Sequence, residues 1–365
     1  MKARIENYDF SGRRIIAISD IHGNLPYLKE LLKLVSLRPD DVIIIVGDFM
    51  EKGDHSLETL RYLMELKKSC ELHALQGNCD SWTYEIDNPR PQSDKYLMYY
   101  MLSTAGEKGR SFLSQMAAEL NLTLDESLSF SDVRPFIREN FKPELDFIRA
   151  CPHIIRTERA DFVHGGFPAG PEEFWDSWDC MKNDFFLSQG HKFSKWTVVG
   201  HTPSMLYGTG ATSANPIFDH ESKIISIDGG CSLIPVGQLN ALIINPDGSF
   251  DFKSYDSFPV ARALDDCEGS SDFCYVRWGR NKIEILSEGE DFVEAKLRES
   301  GERLKILKSF LYRDQEGYLR SSDFGYCYLS VKKGDRLSVI EDSSLGYYVK
   351  KDGTAGLYRG RVEYI

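Results

Sequence analysis

Five short segments of this chain bring together side chains that bind hard divalent cations: Asp20-Ile21-His22-Gly23, Gly47-Asp48, Gly77-Asn78, His164-Gly165-Gly166 and Gly200-His201. Between them they offer carboxylate, imidazole and amide donors, the ligand types such ions take. Asp20 and His22 stand two apart, so on a strand that has just run into a loop both can bend onto one metal. Asp48 could bridge two ions through one carboxylate, and Asn78, His164 and His201 would complete the second ion. A metal pair roughly 3.5–4 Å apart lowers the pKa of a shared water and stabilises both the attacking and the leaving oxygen of an in-line displacement. A lone Asp-x-His or Gly-Asn is a weak signal. The weight comes from all five in order, each directly after an apolar run. The remaining histidines, at 55, 73, 153, 191 and 220, lack that context and read as surface or packing residues.

The elements that must position these residues follow from hydrophobic periodicity. Arg14 to Ser19 is a short β-branched run ending at Asp20, and Val42 to Val46 is apolar on both faces, as a buried central strand should be. Glu71 to Gln76 gives a third strand that ends at Gly77-Asn78. Helical patterns lie between them, at Pro26 to Val35 and Ser56 to Lys68, so a parallel sheet with crossover helices is expected. Open α/β sheets place their sites at the carboxyl edge. Residues 81–150 read as a helical insertion beside the site, with helices at Tyr96 to Ser103, Arg110 to Leu120 and Glu144 to Ala150. Strand signals resume at Asp161 to Val163, Trp196 to Val199, Lys223 to Ile227 and Leu239 to Ile244, the last two expected to pair antiparallel.

Composition bounds the rest. The chain has 365 residues, 42% apolar and 27% charged, which suits a globular protein with a substantial core. A net charge of −12 argues against a general nucleic-acid or anionic-membrane binder. It does not argue against an anionic substrate, because bound cations dominate their local field. Eight scattered cysteines without a Cys-x-x-Cys pair point to reduced thiols. The amino terminus carries no apolar signal core and no apolar run could span a bilayer, so the expectation is cytoplasmic.

The motifs resemble those of the calcineurin-like metallophosphoesterase superfamily, and within it bacterial phosphoprotein-phosphatase-type members. Asp20-Ile21-His22-Gly23-Asn24 matches the family's GDxHG segment with Ser19 in the Gly position, and Gly47 to Gly53 is similar to GDxxDRG. Val163-His164-Gly165-Gly166 and Val199-Gly200-His201-Thr202-Pro203 match later motifs, and Ile227-Asp228-Gly229-Gly230-Cys231 resembles the IDTGC segment of bacterial members and symmetrical diadenosine tetraphosphatases. The resemblance covers residues 13–250 and implies an α/β fold, a β-sandwich flanked by helices, with two divalent ions, Mn first and Fe or Zn otherwise. Two departures stand out. Glu51-Lys52 replaces Asp-Arg, so Lys52 would steady a phosphate without a bidentate fork. Cys79 replaces a His that protonates the leaving group, and its proton is held too tightly for that task near neutral pH. Asp80, His55 or a water could serve instead, and Asn24 could orient a water or ligand.

Residues 251–304 read as a connecting segment with a helix near Phe292 to Glu299, and 305–365 as a small all-β barrel-like domain. Lys333 to Ile340 resembles a Src-homology-3 strand, with Tyr347 or Tyr348 in place of the usual Trp and Arg359 in place of a Pro. That resemblance implies self-association or peptide binding through this segment. The expected function is a dinuclear-metal phosphoesterase acting on phosphomonoesters, including serine/threonine phosphoproteins, through a hydroxide that bridges the ions. A phosphodiesterase or dinucleoside-polyphosphate hydrolase is the first alternative, and a non-catalytic metal-binding scaffold the second.

Overall fold

The computed structural model describes the chain except residues 89, 106–109, 126–127, 209–211 and 271–272, and the side chains of 91 and 92. It forms two compact units: Met1–Pro203 with Pro216–Ser232 and Leu239–Tyr255, and Ser204–Asn215 with Leu233–Gln238 and Asp256–Ile365.

The first unit is a sandwich of two sheets. In one, Ile15–Ile18, Val42–Ile45 and Glu71–Ala74 run parallel, as the alternation of strands and helices predicts, and Leu239–Ile244 and Phe250–Tyr255 add an antiparallel edge. The other has the order Ile5–Asn7, Ile154–Arg156, Ala160–Val163, Trp196–Val199, Ile224–Ser226, Ile217–Asp219. Side chains alternate across a strand, so one sheet serves two cores. Ile15, Ala17, Val42 and Ile44 meet Ile155, Phe162, Val198 and Ile225 between the sheets. Their neighbours Ile16, Ile18, Ile43 and Ile45 pack outward on Leu28, Leu31, Leu60 and Leu63 from the crossover helices Leu25–Val35 and Ser56–Ser69.

The expected pairing of Lys223–Ile227 with Leu239–Ile244 does not form. Ile224–Ser226 lies parallel to Trp196–Val199 in one sheet, and Leu239–Ile244 pairs with Ile15–Ile18 in the other. All six residues of Leu239–Ile244 are buried, which suits a central strand with a neighbour on each side better than a hairpin arm. Between residues 82 and 150 the helices are Trp82–Asp87, Pro91–Thr104, Phe112–Glu119, Phe130–Asn140 and Lys142–Ala150. Phe130–Asn140 escapes a reading by periodicity because Pro135 interrupts it, although Phe130, Val133 and Ile137 keep helical spacing and are buried. Seven residues of the expected insertion (89, 106–109 and 126–127) lie outside the described residues. Among the described residues no helix is long and apolar enough to cross a membrane.

The second unit is built of strands. Phe292–Leu297 is a strand, not the expected helix, paired with Ile283–Glu288 and Arg303–Leu307. Val293, Ala295 and Leu297 are buried while Glu294 is exposed and Lys296 half-buried, a period of two. A larger sheet joins Arg336–Ser343, Gly346–Lys351 and Thr354–Tyr358 as an antiparallel meander, with Val260–Ala263 beside the first. Tyr348 stands fully buried in its core, stacked on Phe324 at 4.8 Å, and its hydroxyl accepts a hydrogen bond from Gly325 N at 3.1 Å. It therefore has no face free for a peptide. Tyr348→Phe strands that N–H and should cost about 1–2 kcal/mol in chemical denaturation. A midpoint equal to wild type would show that the bond contributes nothing.

Candidate metal centre

Six loops leave the carboxyl ends of strands from both sheets of the first unit and meet. They carry Asp20, Asp48, Asn78, His164, His201 and, not named as a site residue from sequence, Asp228. Backbone hydrogen bonds stitch them together: Asp20 N to Gly47 O at 3.1 Å, His22 N to Asp48 O at 2.9 Å and Gly200 N to His164 O at 2.9 Å. The loops also hold residues in backbone conformations that side chains rarely adopt. Asp20, His22, Asp48 and His201 all have positive φ, between 49° and 68°. Such conformations each cost of order 1–3 kcal/mol and persist where the surroundings and a function over-determine them. Two glycines permit the close approach. A Cβ on Gly77 would collide with Asp48 Oδ1, and one on Gly200 with Ser19 Oγ and Asp20 Oδ2.

Two groups of donor atoms result, His22, Asp48 and Cys79, and Asp48, His164 and His201, each within 4.8 Å of one another. Asp48 is common to both. Its Oδ2 lies 3.8 Å from His22 Nε2 and its Oδ1 3.3 Å from His164 Nε2, while Asp20 Oδ1 is 3.6 Å from His22 Nε2. Cys79 donates its backbone N–H to Asp48 Oδ1 at 2.8 Å, and Asn78 Nδ2 lies 3.4 Å from the Cys79 sulfur. The structure thus brings all six sequence-predicted ligand residues to one place and adds the Cys79 sulfur.

These atoms lack partners that a cation would supply. Asp20 Oδ1, both nitrogens of His22, Asn78 Oδ1, His164 Nε2 and Asp228 Oδ2 are buried without a hydrogen bond among the described residues. A stranded buried polar atom costs about 1–3 kcal/mol, so a cluster of them is a poor structural core and a good ligand set. The hydrogen bond between His164 Nδ1 and Val46 O, at 2.8 Å, places the ring proton on Nδ1 and leaves the Nε2 lone pair for a metal. His201 turns Nε2 to Asp184 Oδ1 at 2.7 Å, which leaves Nδ1 to act as ligand.

Electrostatics agree. Asp20, Asp48, Asp80 and Asp228 are at most 2% exposed, too many buried carboxyls to ionise together without added positive charge. Burial, then Asp48, raises Asp80 to about 8, and burial with Asp20 lifts Asp228 well above the carboxylate range. Burial opposes charge on His22 and His164 too, yet Asp20 and Asp48 hold them up to about 9 and about 10. The site draws in positive charge, and two divalent ions would provide it.

The three other residues expected at the site sit differently. Lys52, with φ +74°, is exposed and lines a cavity beside Asn78 and Cys79. Asn24 caps the helix Leu25–Val35, its side chain accepting from Tyr27 N at 3.4 Å and donating to Ser232 Oγ at 3.3 Å. Asp80 is fully buried and turns both oxygens to backbone: Oδ2 accepts from Asp48 N and Gly77 N at 2.7 and 2.9 Å, Oδ1 from Met50 N at 3.2 Å. Glu51 is equally buried and takes Tyr100 Oη–H at 2.6 Å and Phe112 N–H at 2.7 Å. Glu51 lies in the segment similar to GDxxDRG and Asp80 in the one that begins Gly77-Asn78, but which carboxylates face the site is a matter of backbone geometry.

A two-sheet sandwich gathers buried carboxylates and imidazoles around a shared Asp at its strand ends, the make-up of a site for divalent cations. The calcineurin-like phosphoesterase family model matches residues 13–205, more than half of the chain, and the chain belongs to that family. The family depends on two metal ions. Over 67 residues the chain is 42% identical to the symmetrical bis(5′-nucleosyl)-tetraphosphatase of Pseudomonas syringae pv. syringae (strain B728a), 18% of this chain and 22% of that protein. The Pseudomonas fluorescens (strain SBW25) protein of the same name is 45% identical over 65 residues, again 18% and 22% of the two chains. The chain therefore spans about a fifth of the length of these curated relatives. A protein serine/threonine phosphatase from Saccharomyces cerevisiae superposes with a TM-score of 0.44 at 11% identity, over 70% of this chain and 84% of that one.

Proposed function

We propose that the chain hydrolyses phosphomonoesters at a two-metal centre held by Asp20, His22, Asp48, Asn78, His164 and His201, with manganese the first ion to load. The observation that supports it most is the set of buried, unpartnered ligand atoms around Asp48. Two bound cations supply Lewis acidity and an acidified water. The chain's own residues do the rest. Asp48 is shared between the two donor groups, and Asp80 fixes the loop that carries it. His164 is held in one tautomer by Val46 O, and Lys52 offers a point charge to the phosphate.

Burial, then Asp48, pushes the Cys79 thiol well above its ordinary value, so it donates no proton readily to a leaving oxygen. Phosphomonoesters with acidic leaving groups are therefore the favoured substrates. The same observation favours a second reading, hydrolysis of dinucleoside polyphosphates or of diesters with acidic leaving groups, since neither leaving group needs a proton. Turnover of p-nitrophenyl phosphate and of bis-p-nitrophenyl phosphate by metal-stripped protein reloaded with Mn separates the two. Faster monoester cleavage supports the proposal, and faster diester cleavage replaces it with the second reading. No turnover of either would leave a metal-binding scaffold.

Lys52→Ala should raise KM for p-nitrophenyl phosphate about tenfold, the effect of one exposed charge–phosphate contact. Lys52→Arg, which restores the charge and adds a fork, should bring KM back to or below wild type. Unchanged KM in Lys52→Ala would remove Lys52 from phosphate binding.

A further inference from the structure

A cavity of about 850 Å³ opens in the first unit beside the candidate metal centre, with Lys52, Asn78, Cys79, Trp82, Tyr96 and Tyr100 in its wall. We propose that this cavity takes the planar heterocyclic base of a nucleotide whose phosphate lies at the metal centre. The inference rests on the phosphoester-hydrolase reading of that centre and names the substrate class it serves.

The wall is aromatic and ordered. Trp82 and Tyr100 stack with ring centroids 5.1 Å apart and 20° between planes, and Tyr96 and Tyr100 at 6.4 Å and 13°. Tyr96 and Tyr100 are four residues apart on the helix Pro91–Thr104, so they share one face. The stack ends on a ring that is open to solvent, because Tyr96 is 60% exposed. It is also tied to the metal-centre loops: Tyr100 donates to Glu51, whose neighbour Lys52 lines the same cavity.

Charge in the cavity is largely spent. Arg4 donates to the carbonyls of Arg149 and Cys151, Arg90 pairs with Glu85, and Arg149 pairs with Asp87. What the wall recognises is therefore an uncharged ring rather than a second phosphate. Two polar atoms choose among rings. Trp82 Nε1 and His153 Nε2 are buried on cavity-lining residues without a hydrogen-bond partner among the described residues. His153 is 2% exposed, and its Nδ1 accepts from Arg4 N at 3.0 Å. Burial, then Arg4, lowers it to about 4, so the neutral ring carries its proton on Nε2. Both stranded atoms are thus donors. A nucleobase carries ring nitrogens and carbonyls that accept, whereas a phenyl ring has none. Base–aromatic stacking alone contributes roughly ten- to a hundredfold in affinity.

The test is calorimetry on the Mn-loaded full chain, using adenosine 5′-monophosphate against ribose 5-phosphate, two alkyl phosphates whose poor leaving groups keep turnover slow beside Cys79. The two differ only by the base. Wild type should bind the nucleotide at least about tenfold more tightly. In Tyr96→Ala, an exposed position that folding tolerates, the gap should close to within about threefold, and likewise in Trp82→Leu. Equal affinities in wild type, no detectable binding of either ligand, a gap that survives both substitutions, or phenyl phosphate binding as tightly as the nucleotide would each overturn the proposal. Turnover by the Mn-loaded chain is read separately. A base-dependent gap in binding without turnover of p-nitrophenyl phosphate or bis-p-nitrophenyl phosphate would refute the hydrolase reading and keep the base pocket.

Discussion

Asp48→Asn is expected to lower kcat for p-nitrophenyl phosphate by about 10³-fold or more, roughly 4 kcal/mol in barrier, and to reduce bound Mn from about two ions per chain to about one. The size follows from its place. Asp48 alone belongs to both donor groups, and its oxygens face His22 on one side and His164 on the other. An amide is isosteric, so the backbone at φ +49° and the hydrogen bond from Cys79 N can persist. One of the two oxygens becomes an NH2 that repels a cation, and the negative charge needed between two dications is lost. Metal content by plasma emission, thermal melting and turnover together decide the matter. A variant that melts like wild type, keeps about two Mn and turns over normally would exclude Asp48 as a shared ligand.

How much of this was legible in the sequence depends on which interactions fix each feature. The parallel core was legible because Val42–Ile45 is apolar on both faces and fully buried, and its helices carry Leu28, Leu31, Leu60 and Leu63 at regular spacing. That the six expected ligand residues gather in one place was legible because several of their segments carry glycine at a strand end, and at Gly77 and Gly200 any side chain would strike Asp48 or Asp20. Asp228 carried a similar signal, a strand followed by Asp-Gly-Gly, but its weight comes from closeness to Asp20 and His22 in a buried site, which spacing does not reveal. The partner choice of Leu239–Ile244 was illegible because a strand buried on both faces has no pattern that names its neighbours. Phe292–Leu297 was misread as a helix although its alternation of buried and less buried residues has a period of two. His153 read as a packing residue from sequence. It is buried as a packing residue would be, and only the bond from Arg4 N shows which nitrogen keeps a proton to offer.

Asp80 is where sequence and geometry part most, and it carries the second large expectation. Its position after Asn78 and Cys79 suggests a proton donor for the leaving group. The structure gives its two oxygens three backbone N–H groups, from Asp48, Gly77 and Met50, and no exposure to solvent. Two of those donors belong to the loop that turns Asp48 into the site. We therefore expect Asp80→Ala to strand three buried N–H groups at about 1–3 kcal/mol each, partly recovered by entering water, for a net loss of about 4 kcal/mol. That is a large share of the roughly 5–15 kcal/mol that holds a domain folded, and should lower the melting temperature by about 10 °C. Asp80→Asn keeps one acceptor oxygen and should lose about half as much stability. A proton donor would behave the opposite way: Asp80→Asn would melt as wild type does while turnover of poor leaving groups collapsed and that of p-nitrophenyl phosphate survived. Melting curves of the two variants, read beside rates on p-nitrophenyl phosphate and on an alkyl phosphate, distinguish a residue that shapes the loop from one that moves the proton. Both variants melting within about 2 °C of wild type would show that the three N–H groups do not depend on Asp80.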